Sequence, residues 1–241
     1  MAIMKEVLRL DKYLCDMGIG TRSEVKTYMK KGRVTVNDVI VKEPEKKIDI
    51  NKDLVTFDHN KVGYVSYEYY MLNKPAGVVS ATSDNTCDTV IDLIESAARK
   101  DLFPVGRLDK DTEGLLLITN DGALTHQLLS PKKHVGKVYY AKVRGVVTEE
   151  DVRIFREGVV ISEDFKALPA ELVILQSDEI SEIELTIYEG KFHQVKRMFE
   201  AVEKEVIYLK RLSMGILKLD ENLAVGEYRE LTKEELLSLK K

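Results

Sequence analysis

Acidic residues cluster near the middle of the chain, where polar residues lead directly into an apolar segment. Asp109, Asp111 and Glu113 alternate before a glycine, and the aliphatic run 115–118 follows at once. Polar loops mounted on a rigid buried strand often carry catalytic or binding groups. A carboxylate held in such a loop can act as a nucleophile or as a general base. Residues 105–122 are therefore the first candidate for a site of chemistry.

The same alternation of acids occurs in calcium-binding loops of the EF-hand type. Position twelve of such a loop, counted from Asp109, is Asn120, where a bidentate glutamate is required. His59, His126 and His134 form no cluster with the two cysteines at zinc spacing. The sequence also has neither a phosphate-binding loop nor a dinucleotide fingerprint. We therefore expect no metal and no cofactor.

Basic residues form a second candidate set further along the chain. His193, Lys196 and Arg197 stand at i, i+3 and i+4 of a segment with helical apolar spacing, so they share one face of a helix and are expected to converge on a cleft. The same pattern describes a basic amphipathic helix with a buried apolar face. The two interpretations are compatible.

Positive charge is concentrated near the beginning of the chain. Residues 1–42 carry a net charge of +4, whereas the remainder carries −8. The density is highest from Arg22 to Arg33, where Thr21 and Glu24 form a capping-box signal for the second of two short helices. A run of this kind is often only a solvated helix face. Its other interpretation is a surface for a phosphate-rich partner.

Three segments of this N-terminal module resemble the RNA-binding domain named after ribosomal protein S-four. They are residues 10–14 (Leu-Asp-Lys-Tyr-Leu), 21–23 (Thr-Arg-Ser) and 31–37 (Lys-Gly-Arg-Val-Thr-Val-Asn). The resemblance implies contact with RNA phosphates, which gives affinity and register more than sequence choice. The residues implied are Arg22, Ser23, Lys26, Lys30 and Arg33.

The acidic and basic segments together resemble those of pseudouridine synthases, with the closest similarity to the ribosomal small-subunit (RsuA-type) branch. The matching segments are residues 71–77, 106–116, 137–139 and 189–199, and the similarity continues through 209–211, 214–215 and 226–229. The resemblance implies a cofactor-free isomerisation of a uridine in 16S ribosomal RNA. In that reaction the bond from uracil N1 to the ribose breaks and C5 is joined to the same sugar carbon.

The resemblance also implies roles for individual residues. Asp109 is the essential carboxylate, Lys196 is its basic partner, and Tyr139 is the ring that stacks on the uracil. Substrate contacts are implied for Arg107, Lys74, His193, Gln194 and Arg197. For Lys74 the alternative is a plain turn at Pro75, without chemistry.

The order of predicted elements favours an α+β protein. A small α/β RNA-binding module is expected at residues 1–60 and a linker at 61–66, and a catalytic domain with a mixed or antiparallel sheet is expected at 67–241. Predicted helices in that domain cover 88–98, 122–129, 148–156 and 192–202. Predicted strands cover 69–72, 78–79, 114–119, 137–143, 170–175, 182–188 and 206–219.

Composition limits the protein class. Hydrophobic residues make up 44% and charged residues 32%, so the chain is not disordered. No apolar run is long enough to cross a membrane. Two cysteines provide no disulfide framework. We expect a cytoplasmic monomer that binds ribosomal RNA within an assembling small subunit and has no membrane partner. Three alternatives stay open: a 23S rRNA target, an RNA-binding assembly factor without catalysis, and an enzyme acting on a free nucleoside or glycoside.

Overall fold

The computed structural model of the chain describes residues 7–130 and 133–240, which form two compact units. The first unit holds the described residues up to Glu68 together with Ser96–Leu102. The second unit holds Tyr69–Glu95 and the described residues from Phe103 onward. The chain therefore passes from one unit to the other three times.

Two short helices and small antiparallel sheets build the first unit. The helices are α1 (Leu10–Asp16) and α2 (Arg22–Lys30). The strands are β1 (Val7–Arg9), β2 (Val34–Val36), β3 (Val39–Ile40), β4 (Lys47–Asp49), β5 (Val55–Phe57) and β6 (Asn60–Val62), in the orders β1-β4 and β3-β2-β5-β6. Thr21 and Glu24 cap α2 reciprocally, while Val25 and Met29 are fully buried. Both predicted helices are confirmed.

The end of the first unit differs from the sequence-based boundary. The sequence predicts a linker at 61–66, but β6 already belongs to the four-stranded sheet. The Tyr13 hydroxyl donates to the Val62 carbonyl oxygen at 2.6 Å, and the Tyr64 ring lies 4.9 Å from the Tyr13 ring between centroids. β6 is an edge strand made largely of polar residues, so apolar periodicity does not reveal it. The segment is part of the folded unit.

The segment Ser96–Leu102 completes the first unit through a buried guanidinium. Arg99 is 4% exposed, and its side chain donates to the Tyr64 hydroxyl at 3.1 Å and to the Val65 carbonyl oxygen at 3.2 Å. The Asp16 carboxylate lies 3.4 Å from the same guanidinium. A buried charge is tolerated only when it is paired and hydrogen-bonded, as it is here. The segment is therefore held by specific polar contacts.

One mixed sheet organises the second unit, as the α+β prediction requires. Its strands are β7 (Tyr69–Lys74), β8 (Phe103–Pro104), β9 (Glu113–Thr119), β10 (Lys137–Arg144), β13 (Glu171–Gln176), β14 (Ile180–Ile187), β15 (Glu205–Met214), β16 (Leu217–Lys218) and β17 (Tyr228–Glu230), with β11 (Val160–Ser162) and β12 (Phe165–Lys166) forming a separate hairpin. The main path runs β13-β14-β10-β15-β9-β7-β17. Strand β15 pairs in parallel with β9, whereas the other neighbours on this path are antiparallel.

Four helices in the described ranges accompany this sheet. They are α3 (Gly122–Leu129), α4 (Glu149–Glu157), α5 (Gln194–Glu200) and α6 (Lys233–Leu239). Three of them, α3 to α5, lie close to predicted positions, whereas α6 was not predicted. The helix predicted at 88–98 is wrong, because this segment forms single turns such as the Thr89–Asp92 pair and then leaves for the first unit. The strand predicted at 78–79 is reduced to one bridge between Val79 and Thr89. None of the helices in the described part of the chain is long and apolar enough to cross a membrane.

Strand β9 is the central support of the candidate site. Its residues from Gly114 to Thr119 are buried, which is typical of a strand covered on both faces. Gly114 has φ +97°, a conformation that favours glycine. A Cβ at this position would overlap the backbone oxygen of Arg211 and stand 2.8 Å from its nitrogen. The close approach of β15 to β9 therefore requires glycine here.

Candidate active site

The loop 106–112 joins β8 to β9 and carries Asp109. The Ser80 hydroxyl accepts from the Leu108 N–H at 3.1 Å and donates to the Leu108 carbonyl oxygen at 2.9 Å. The Thr112 N–H donates to the Asp109 carbonyl oxygen at 3.1 Å and closes a tight turn. Ser80, Leu108 and Thr112 are all buried. The Asp109 carboxylate is thus presented from a fixed backbone, with its side chain 25% exposed.

Two side chains near α5 approach the Asp109 carboxylate. His193 Nε2 lies 3.6 Å from Oδ1, and Lys196 Nζ lies 3.7 Å from Oδ2. Lys196 is closer to Asp111, because it donates to both carboxylate oxygens of that residue at 2.7 Å. This hydrogen bond is the main cause of a lowered pKa for Asp111, whose side chain is 70% exposed. The predicted partner of Asp109 is therefore shared between two carboxylates.

Only two of the three basic residues that the sequence groups together face this loop. The Arg197 guanidinium instead lies 5.8 Å from the centroid of the Phe165 ring. Successive residues of an α-helix are rotated by about 100°, so Lys196 and Arg197 leave the helix in different directions. The expected convergence of Arg197 on the cleft is corrected accordingly, while the buried apolar face of α5 is confirmed.

Gln194 is buried, and its amide group is used within the protein. Its Oε1 accepts from the Lys191 N–H at 2.9 Å, and its Nε2 donates to a Glu189 carboxylate oxygen at 2.9 Å. His193, the residue before it, has φ +48° in the left-handed region. These bonds close the loop 189–194, and Gln194 thereby positions His193. Gln194 also lines the pocket that contains Asp109, so the substrate contact implied by the resemblance stays a prediction.

Asp109 lines a recess with a volume of about 110 Å³. Tyr139 is 7% exposed and lines the recess from β10, while Tyr140 faces the other way and lies 6.0 Å from the Tyr208 ring between centroids. Arg107 is exposed and lines both this recess and a wider groove of about 790 Å³. The recess therefore brings together a carboxylate, an aromatic ring and a cation.

Lys74 is buried and makes no contact with the recess. Its ammonium donates to the carbonyl oxygens of Pro75 at 2.9 Å, Lys110 at 3.2 Å and Thr112 at 2.9 Å. All three donors of the ammonium are thus used by the backbone. Burial lowers the Lys74 pKa to about 8. The expectation of a substrate contact is corrected: Lys74 clamps the loop that carries Asp109.

We expect Lys74→Met to lower the free energy of unfolding by roughly 2–5 kcal/mol, because buried carbonyl groups lose their donor. The wild type should also gain stability from about pH 8 to pH 10.5, since the unfolded chain then holds a proton that folded Lys74 has lost. The slope is at most about 1.4 kcal/mol per pH unit. Urea unfolding of both proteins from pH 7 to 10.5 measures the difference.

The exposed Lys61 offers a matched control for this prediction. Lys61→Met should leave both the stability and its pH slope close to those of the wild type. Equal stability of Lys74→Met and wild type at pH 7, with equal slopes above pH 8, would contradict the clamp.

Two cations that the sequence reasoning did not assign also line the recess, namely Lys137 and Arg211. They are 7% and 3% exposed, respectively. Both stand in segments that carry the family resemblance, 137–139 and 209–211, and this was the available signal. Lysine and arginine are rarely buried without a partner, so a cation within a strand of mostly apolar residues indicates a functional site.

The residues predicted to bind RNA lie in the first unit. Four are exposed on α2: Arg22, Ser23, Lys26 and Lys30. The cations at positions 22, 26 and 30 follow an i, i+4, i+8 row along the helix. Arg33 differs, because its guanidinium pairs with the Asp58 carboxylate and lies 4.6 Å from the ring centroids of Tyr28 and Phe57. Its charge is already partly balanced within the unit.

No group of three or more His, Cys, Asp or Glu side chains in the described ranges is arranged to hold a metal ion.

Family models match both units of the chain. Residues 68–201 match RNA pseudouridylate synthase, and residues 8–54 match the S4 domain. An uncharacterized RNA pseudouridine synthase of Bacillus subtilis is 49% identical over 231 residues, covering 95% of this chain and 97% of that protein. A crystal structure of a pseudouridylate synthase is 36% identical, with a TM-score of 0.68 over 96% of this chain and 99% of that one.

Relatives with named ribosomal subunits are similar to this chain at nearly equal levels. The ribosomal small subunit pseudouridine synthase A of Vibrio cholerae is 40% identical over 96% of this chain and 99% of its own length. The ribosomal large subunit pseudouridine synthase B of Bacillus subtilis is 38% identical over 96% of this chain and 95% of its own length.

Proposed function

Because the chain belongs to the RNA pseudouridylate synthase family, we propose that it converts a specific uridine of 16S ribosomal RNA to pseudouridine within an assembling small subunit. The observation that carries this proposal is the placement of the Asp109 carboxylate at the opening of a small recess, with His193 and Lys196 within 3.7 Å. Tyr139 forms one wall of that recess.

In this proposal Asp109 acts on the ribose of the target uridine. As the bond from N1 to C1′ weakens, C1′ becomes electrophilic and an ionised carboxylate stabilises it. Asp109 then either adds to C1′ or removes the 2′ proton to give a glycal. Both routes require a carboxylate without its proton. In both, C5 of the base then forms the bond to the same sugar carbon, the C5 proton is lost and N1 gains a proton; on the glycal route a proton also returns to C2′. No atom is gained or lost.

Lys196 keeps this site electrostatically favourable for a carboxylate. Its ammonium lies 2.7 Å from Asp111 and 3.7 Å from Asp109, so a movement of about 1 Å brings it into hydrogen-bond distance of Asp109. Asp111 therefore holds the ammonium next to its catalytic position. The ammonium and the reacting carboxylate then form a direct ion pair.

Tyr139 and Arg107 are the proposed contacts of the extruded nucleotide. A uridine in folded RNA reaches Asp109 only after it leaves its stack, at a cost of a few kcal/mol. Two contacts offset that cost. The uracil stacks on the Tyr139 ring, and the exposed Arg107 contacts the RNA backbone.

The S4 domain serves as the anchor in this proposal. We expect the triple substitution of Arg22, Lys26 and Lys30 to alanine to weaken RNA binding at low salt and to reduce the slope of log K against log [salt] by about 2–3, since each lost phosphate contact removes about 0.9. Filter binding at several salt concentrations measures this effect. Single-turnover rates at saturating protein should stay within about threefold of the wild type, because α2 carries no reacting group.

A matched triple substitution tests whether the position of the charges matters. Lys142, Lys166 and Lys218 lie on strands of the second unit, and their replacement by alanine should change the salt slope less. Equal losses from the two triple variants would contradict a specific role for α2.

The 23S rRNA is the second candidate substrate, favoured by the 38% identity to the large-subunit enzyme of Bacillus subtilis. The deciding experiment measures tritium release from C5 of labelled uridines in unmodified 16S and 23S transcripts, with and without ribosomal proteins of the matching subunit. Release from 16S alone supports the proposal, and release from 23S alone replaces the substrate. Binding without release from any RNA form would support the assembly-factor alternative, and turnover of free uridine would support the nucleoside alternative.

A further inference from the structure

Two buried cations, Lys137 and Arg211, line the recess, and neither has an acidic partner in the part of the chain that the structure describes. The Nη2 atom of Arg211 is buried and has no hydrogen-bond partner among the described residues, while Nε donates to the Leu115 carbonyl oxygen at 2.8 Å. Lys137 donates to the Val135 carbonyl oxygen at 2.9 Å. Burial and the neighbouring charge of Arg211 both lower the Lys137 pKa.

Such an arrangement is costly unless something balances it. An unpaired buried charge and a buried donor without an acceptor each destabilise a folded protein by amounts comparable to a lost hydrogen bond or more. The Lys196 ammonium already pairs with the carboxylates of Asp111 and Asp109. Within residues 7–130 and 133–240, no carboxylate forms an ion pair with Lys137 or Arg211. The two cations are therefore prepared for a negative group that enters with the substrate.

The strand register places both cations beside Tyr139. Lys137 is two residues before Tyr139 on β10, so the two side chains lie on the same face of that strand. Arg211 is the residue opposite Tyr139 on β15. A uracil stacked on the Tyr139 ring would therefore have polar edge atoms directed at a guanidinium and an ammonium.

We propose that Lys137 and Arg211 stabilise the uracil anion released during isomerisation, an inference that rests on the function proposed above. When the N1–C1′ bond breaks, its electron pair leaves with the base, and the negative charge spreads over N1, O2 and O4. The cations hold this charge while the base turns. C5 then attacks C1′, the C5 proton is lost and N1 gains a proton, so that the atoms and charges balance.

A phosphate is a poorer occupant of this position than the base. The wall of the recess includes apolar groups of Leu129, Ile187 and Leu209, which suit the faces of a base and offer no hydrogen bond to phosphate oxygens. The exposed Arg107 at the opening is better placed for the backbone of an extruded nucleotide. Positively charged groups stabilise the negative charge that develops in a transition state most strongly where water is excluded.

The experiment compares transcripts containing uridine with transcripts containing 5-fluorouridine, in single-turnover assays of N1–C1′ cleavage. Fluorine withdraws electrons and makes the departing base less basic, so cleavage depends less on the cations. With Arg211→Gln we expect a loss of about 100-fold or more for uridine and less than about 10-fold for 5-fluorouridine. The RNA Kd should stay within about threefold of the wild type, and Arg211→Lys should recover part of the rate.

Controls separate this role from a structural one. Lys210→Met changes the neighbouring residue on the opposite face of β15 and should leave both rates near the wild type. If Arg211→Gln fails to fold, Lys137→Met tests the same prediction with the guanidinium in place.

Three results would overturn the inference. Equal losses on the two transcripts would show a structural role, and a weaker Kd with a salt slope reduced by about 0.9 would show a phosphate contact. Unchanged cleavage of uridine by both variants would show no role in the reaction. An inactive wild type on both rRNAs would instead remove the proposed function, and the inference with it.

Discussion

The Asp109→Asn variant is expected to bind RNA as the wild type does and to lose isomerisation by about 10³-fold or more. The amide is nearly the same size as the carboxylate, so the loop and its contacts with Ser80 should be retained. A neutral amide, however, neither adds to C1′ nor takes the 2′ proton. Single-turnover tritium release and RNA binding, measured side by side, separate chemistry from affinity.

Asp111→Asn is the matched control for this variant. Asp111 lies two residues further along the same loop, contacts the same ammonium and is 70% exposed. Its replacement frees Lys196 to approach Asp109, so activity should remain within about tenfold of the wild type. If Asp111→Asn were as inactive as Asp109→Asn, or if Asp109→Asn kept substantial activity, the assignment of Asp109 would be wrong.

Replacing Gly114 by alanine is expected to destabilise the second unit by more than about 4 kcal/mol. The added Cβ would overlap the Arg211 backbone, and φ of +97° already disfavours a side chain. Relief requires β15 to move away from β9, which disturbs the strand that carries Arg211. Urea unfolding followed by circular dichroism measures the loss, and activity at low temperature should fall with it.

Gly226→Ala shows how much of that loss comes from backbone conformation alone. Gly226 has φ +90°, close to that of Gly114, but a Cβ there would meet no atom within 4 Å. Its replacement should cost only about 1–2 kcal/mol. Similar losses at the two positions would mean that the contact between β15 and β9 does not determine the effect.

Sequence patterns predicted the elements around the site well. The polar loop before an apolar strand marked residues 105–122, and helical spacing marked α5, because both signals are local. The family resemblance, not the pattern, selected Asp109 and Lys196 within them. The mixed sheet followed from the order of strands and helices. The helix predicted at 88–98 failed because the turn that begins at Thr89 and Asp92 is not continued and the chain enters the first unit at Ser96, which apolar spacing does not show.

The remaining features depend on contacts between residues distant in sequence. The motif around Lys74 gives no sign that this side chain is buried. Its role depends on hydrogen bonds to the carbonyl oxygens of Lys110 and Thr112, which are distant in sequence. Arg211 lines the recess because it pairs across two adjacent strands with Tyr139, 72 positions away by residue number. Arg99 is similar, because its acceptors at Tyr64 and Val65 lie in another part of the chain.

The segment Ser96–Leu102 limits how such a protein can arise by recombination. A gene fusion that joined a foreign catalytic domain after Glu68 would supply the S4 domain without Arg99, whose guanidinium lies 3.4 Å from the Asp16 carboxylate and donates to the Tyr64 hydroxyl. A fusion in the opposite sense would bring that guanidinium without its acceptors. Exchange of the anchor between lineages therefore requires two separate stretches of the gene to be inherited together, which favours descent of the whole chain as one piece over shuffling of its parts.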